Sequence, residues 1–145
     1  MLGAAPSRRP NRKGKAMNNQ VDLGKLVLRV TLGVLVLLHG VAKLRGGVDP
    51  IAGMLAGAGL PSFLAYGAYL GEVLGPLMLI AGFHARIGAV LVIINMAFAV
   101  VLAHMGQLGT LNDQGGWALE LQGMFLGTAV AIALLGPGRY SVNNK

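Results

Sequence analysis

The sequence predicts an all-α membrane protein, a four-transmembrane-helix bundle with a short interfacial helix in its first outer loop. Three observations carry that expectation. Apolar residues make up 54% of the 145-residue chain, and its mean hydropathy is +0.65. Four apolar runs, Leu26–Leu38, Leu64–Phe83, Ile87–Met105 and Ala118–Leu135, fill most of its length, and a helix needs roughly 20 such residues to cross a bilayer. Ionisable side chains lie within or at the head of these runs. A charge at the centre of a spanning helix costs roughly 2.5–3.5 kcal/mol on insertion scales, so Arg29, Glu72 and Glu120 mark a polar interior.

Residues 1–20 read as a disordered basic cytoplasmic tail, because the segment is rich in Pro, Arg and Lys and lacks apolar periodicity. Met17 offers a second translation start inside it. A net charge of +7 suggests nucleic acid, but the cluster Arg8, Arg9, Arg12, Lys13 and Lys15 has no interleaved aromatics to stack on bases, and this distribution argues otherwise. It fits the positive-inside rule, and beside a bilayer it attracts anionic headgroups. His39, Lys43 and Arg45 follow the first run where a cleavage site would need small residues, so that run is read as an uncleaved span.

The membrane domain covers residues 21–141, with 142–145 as a cytoplasmic C-terminal tail. Lys25, Arg86, Arg139 and Lys145 join the N-terminal cluster on one side, against only Lys43 and Arg45 on the other. That imbalance places both termini in the cytoplasm of a bacterial inner (plasma) membrane, with 44–63 and 106–116 outside. In the first outer loop, Asp49-Pro50 starts a helix and Gly59-Leu60-Pro61 stops it. Ile51–Ala58 between them is too short to span and reads as interfacial or re-entrant. The second outer loop carries Asn112, Asp113 and Gln114 among glycines, and Gly136-Pro137-Gly138 ends the last span.

Gly67, Gly71 and Gly75 recur every fourth residue in the second run, with Gly33 and Gly40 in the first and Gly123 and Gly127 in the last. Small residues at that spacing let helices approach closely in lipid. Arg29, Gly33, His39, Gly40 and Lys43 fall within about a third of an ideal helix's circumference. Glu72 precedes Pro76 by four residues, so the proline frees the carbonyl of Glu72 itself. Asn95 and His104 point to roughly opposite faces of one helix, and His104 is the expected inward residue.

By topology His39, Lys43, His104 and Glu120 share the outer third of the bilayer, with Glu72 beneath them and Arg29 as its expected partner. One reading is a fixed Arg29–Glu72 ion pair that sets helix register, with His104 and Glu120 merely wetted at the headgroups. The other is a polar pocket open to the outer face, in which Glu72, His39, His104 and Glu120 relay protons or anchor a polar head. No His-x-x-x-His or Glu-x-x-His spacing supports a metal. With no cysteine, disulfides and thiolate metal sites are excluded.

The segments Leu28-Arg29-Val30, His39-Gly40-Val41-Ala42-Lys43, Glu72 with Gly75-Pro76, Glu120, and Gly136-Pro137-Gly138-Arg139-Tyr140-Ser141 resemble the DoxX family of small bacterial inner-membrane proteins. The resemblance implies a four-span fold and Arg29, His39, Lys43, Glu72 and Glu120 as the site positions. It also implies a membrane subunit or partner of a quinone-linked oxidoreductase system. No haem, flavin or iron–sulfur motif accompanies them, so electrons would come from a soluble oxidoreductase partner. A non-enzymatic scaffold for a partner complex is the alternative. Transport of a small solute or a proton is the weaker third reading, since one such bundle lacks an inverted repeat unless a homo-oligomer supplies it.

Overall fold

A computed structural model describes residues 3–5 and 12–143. Its elements are helix α1 (Arg12–Gly46), α2 (Asp49–Gly57), α3 (Ser62–Ala81), α4 (Ala85–Gln107) and α5 (Glu120–Leu135). Among the described residues there is no strand, only an isolated bridge between Leu111 and Trp117. Arg8 and Arg9 lie outside the described residues. Arg12–Gln20, by contrast, forms the first turns of α1 and departs from the irregular tail the composition suggests. At 35 residues α1 is about 52 Å long, well beyond the roughly 30 Å hydrocarbon thickness of a bilayer.

Among the described residues two helices, α3 and α4, are long and apolar enough to cross a membrane, and α5 is a shorter apolar helix. Each of α1, α3, α4 and α5 packs beside its neighbour in the chain, and α5 closes back on α1 through the thinnest contact. Leu32 and Val36 of α1, Leu79 of α3, Ala85, Ala89, Val92 and Met96 of α4, and Phe125, Ala129 and Ile132 of α5 form the core. Small residues let the backbones close up. Gly75 of α3 and Gly88 of α4 face each other, so that a Cβ on either would lie 2.9–3.0 Å from the other's carbonyl oxygen. Gly33 fits against Ile80 and the Pro76 carbonyl, Gly40 against the Glu72 carbonyl, and Gly71 against Asn95. Gly67 and Gly127 face open space and take no part in this packing.

The polarity runs inside out for a protein in water. Large apolar side chains lie outside, Leu134 at 75% and Met124 at 67% exposure, while Arg29 at 0% and Glu72 at 5% are buried. That distribution is the one a hydrocarbon solvent favours.

The expected short helix exists as α2. Pro50 sits in its first turn, as anticipated, but Val48 is the cap residue and no side chain caps it. Leu55 of α2 and Val48 pack with Ala65, Tyr69 and Leu102, which lays α2 over the adjoining ends of α3 and α4. At that same end, Asn112 Oδ1 accepts hydrogen bonds from the Gln114 and Gly116 amides at 3.0 and 2.9 Å. Trp117 Nε1 donates to the Leu108 carbonyl at 2.8 Å. Asn112→Ala is therefore expected to open this loop alone: hydrogen exchange at the Gln114 and Gly116 amides should accelerate by roughly 5- to 30-fold, for about 1–2 kcal/mol of lost local bonding, with α5 unaffected.

Candidate functional site

Glu72 is held in a π-helical turn, Leu70–Leu74, where the Gly75 amide donates to the Leu70 carbonyl five residues back. Pro76 explains the irregularity, because it has no N–H with which to bond the Glu72 carbonyl. The longer-period turn accommodates that loss, and such turns recur at functional sites. Gly40 of α1 covers the Glu72 carbonyl so closely that any side chain would collide with it. One turn further along α1, Lys43 Nζ donates to Glu72 Oε2. The Lys43 side chain is 26% exposed and that of Glu72 is 7% exposed, so the pair reaches from the interior toward the surface. Tyr69 donates its hydroxyl to the Lys43 carbonyl at 3.3 Å and joins the contact with α2 overhead.

The ion pair expected between Arg29 and Glu72 does not form. Arg29 lies at the opposite end, where Nη1 donates to the Leu79 carbonyl at 3.0 Å and Nη2 donates to the Tyr140 carbonyl. A depth difference of two turns is bridgeable by a long side chain, but Lys43 is nearer and Arg29 is claimed by backbone carbonyls. The Leu79 carbonyl is free because α3 ends at Gly82, whose φ of 71° is left-handed, and the Tyr140 carbonyl belongs to the non-helical chain after α5. The chain after α5 then folds back across this terminus. Val142 and Asn143 amides donate to the Ala81 and Gly82 carbonyls, both at 3.2 Å, and Asn143 Oδ1 accepts from the His84 amide at 2.9 Å. Arg139 Nη1 donates to Asn19 Oδ1 at 2.8 Å, tying the same strap to α1.

The remaining candidates do not join Lys43 and Glu72. His39 is exposed on the side of α1 facing α5, with its ring edge-on to Phe125 at 5.8 Å. Together with Leu35, Leu38, Ala42 and Leu121 these rings line a groove of about 360 Å³. His104, in a second π-helical turn (Val100–His104), meets Gln107 Oε1 through Nδ1 at 3.0 Å. The inward residue of α4 is Asn95, which packs on Gly71, and not His104 as expected. Glu120 is exposed at the start of α5, its carboxylate folded against Gly116. Among the described residues no group of His, Asp and Glu is arranged to hold a metal.

Sequence reasoning passed over Tyr69, Gly88, His84 and Asn143. Only Gly88, adjacent to Ala89 on an apolar helix, carried a local signal, since the others depend on where distant chain segments arrive.

This is a helical body with apolar exterior, a Lys–Glu pair under a short overlying helix, and an arginine-clamped terminus. The model of the DoxX family matches residues 24–105, which hold Arg29, His39, Lys43 and Glu72. The chain belongs to the DoxX family. It is a membrane protein of that family, and Glu120 and the Gly136–Ser141 segment lie outside the matched region. A Bacillus subtilis (strain 168) protein named "Putative oxidoreductase CatD" is 32% identical over 85 residues, which are 59% of this chain and 63% of that protein. The match thus spans under two thirds of the relative's length. No solved structure matches the chain.

Proposed function

We propose that this DoxX protein is a four-span bundle of the bacterial inner membrane, both termini cytoplasmic, that serves as membrane partner of a quinone-linked oxidoreductase system. The observation that carries the reading is the His39 groove. It opens sideways between α1 and α5, among exposed apolar residues, where a molecule dissolved in the bilayer arrives without crossing water. Its chemistry suits a quinone ring: aliphatic walls, the Phe125 ring, and one imidazole able to exchange a proton with a carbonyl oxygen. A bound quinone would take up two electrons and two protons, the electrons coming from a soluble oxidoreductase. The name of the Bacillus relative points the same way.

In this reading the pocket toward the outer face is split. His39 is the residue placed to touch a quinone. Lys43–Glu72 is a proton-holding pair on the other flank of α1, and α2 lies over it at the interface. Arg29 holds the cytoplasmic end and has no contact with the site, while His104 and Glu120 stand at the outer rim.

Native purification in mild detergent, with mass spectrometry of the retained small molecules, tests this. Wild type and Glu72→Gln are expected to retain a quinone, and His39→Leu is expected to lose it at unchanged thermal stability, because His39 makes no hydrogen bond that the fold depends on. Retention of quinone by His39→Leu, or its absence from wild type, would remove the redox reading and leave a scaffold as the working idea.

A further inference from the structure

A second, open groove of about 610 Å³ lies on α1 at the Arg29 end, where Leu135 of α5 meets it. Its walls are Val21, Val27, Leu28 and Leu135, Gly24 leaves it open on the α1 side, and Lys25 lines it. The size falls within the roughly 300–1,000 Å³ of ligand sites. What distinguishes it from a bare apolar crease is its chemistry at the rim. The Lys25 stem packs on Gly138, its Cδ 3.2 Å from where a Cβ would stand. The Arg86 guanidinium packs on Gly136, the residue after Leu135. Two cations thus flank the turn that follows Leu135, Lys25 from within the groove and Arg86 from beside it.

Charge along the molecule is segregated in the same sense. Arg12, Lys13, Lys15, Lys25, Arg29, Arg86 and Arg139 gather at this end against Asp22 alone, while the α2 end carries Asp49, Glu72, Asp113 and Glu120 against Lys43 and Arg45. The polar turns Arg12–Gln20 continue α1 straight out beyond the groove, so its basic residues stand where headgroups would be.

We infer that this groove binds an anionic glycerophospholipid, one acyl chain lying between α1 and α5 and the phosphate held by Lys25 and Arg86. The site differs from the His39 groove in position and in ligand. It rests on the same bilayer orientation, with this end at the cytoplasmic leaflet. A diffuse basic surface attracts anionic lipid without retaining it, whereas an open apolar groove with one cation lining it and a second beside it holds chain and headgroup together.

The test is native mass spectrometry of the full chain in mild detergent, titrated with phosphatidylglycerol or phosphatidylcholine of identical acyl chains. Phosphatidylglycerol is expected to bind at least fivefold more tightly, with about a fivefold loss in Lys25→Gln and again in Arg86→Gln, as for single cations near an anionic surface. A Cβ at Gly24 would meet nothing within 4 Å, so Gly24→Leu fills the groove without a clash and is expected to displace both lipids while the fold persists. Equal binding of the two lipids, or phosphatidylglycerol binding indifferent to Gly24→Leu, overturns the inference. So does a second copy of the chain that occupies the groove and is lost in Gly24→Leu. Quinone retention, read in the same spectra, separates this result from the fate of the His39 reading. Solubility of the chain without detergent would overturn both.

Discussion

Arg29→Met is expected to destabilise the protein by about 2–4 kcal/mol, since it strands two carbonyl acceptors, one fully buried, at roughly 1–3 kcal/mol each. Methionine fills most of the arginine's volume, so the loss reports bonding more than packing. The guanidinium joins the Leu79 carbonyl at the end of α3 to the Tyr140 carbonyl of the C-terminal strap, and among the described residues no other side chain spans those two points. Arg29→Lys keeps the charge but presents a single ammonium where two separate donors are needed, and should recover less than half of the loss. Thermal unfolding in mild detergent measures both. Hydrogen exchange adds a localised readout: the Val142 and Asn143 amides, bonded to Ala81 and Gly82, should lose protection in Arg29→Met before the helices do. An Arg29→Met protein as stable as wild type would mean that the strap holds without its clamp.

Gly40→Val carries the second large effect, a destabilisation of about 1–3 kcal/mol or more from overpacking. The atom that a Cβ meets is the Glu72 backbone carbonyl, with the Val73 side chain behind it, and a helix backbone in a π-turn has little room to retreat. The sign should reverse at Gly24 on the same helix. There nothing lies within 4 Å, and Gly24→Ala is expected to be neutral or to stabilise by about 0.5–1 kcal/mol through backbone entropy. The pair of variants separates close helix approach from helix propensity. Gly40→Val should also part Lys43 from Glu72, one turn further along α1, so the double variant Gly40→Val/Lys43→Gln should cost less than the sum of its parts. Strict additivity would show that the approach of α1 and the ion pair are independent.

How far the fold and the site could be read in advance follows from the range of the forces involved. Apolar runs, the proline-opened helix at Asp49–Gly57 and the stop at Gly136-Pro137-Gly138 are set by local hydropathy and backbone sterics. They lie where the composition places them. The glycine spacing announced close packing, and Gly33, Gly40, Gly71 and Gly75 deliver it. Gly67 and Gly127, at equivalent spacing, do not, since a helix period says which residues share a stripe and not which stripe meets a neighbour. Pro76 likewise announced a disturbed backbone at Glu72, and the π-turn is its form.

Partner choice was the part that helical periodicity left open. Arg29 and Lys43 share a face of α1, and both are basic residues able to reach Glu72, so their order of preference could not be read from spacing. It was decided where α3 ends and the C-terminal strap arrives from far along the chain, offering Arg29 the Leu79 and Tyr140 carbonyls. His39, at the margin of the same stripe, was turned toward Phe125 by the way α5 closes on α1. By itself, then, the sequence determined that this chain forms apolar helices with charges buried among them, because burial in lipid and helix geometry act residue by residue. Which charge meets which partner, and that the grooves open where α1 meets α5, only the tertiary structure decided, because those outcomes depend on contacts between segments that no local pattern encodes.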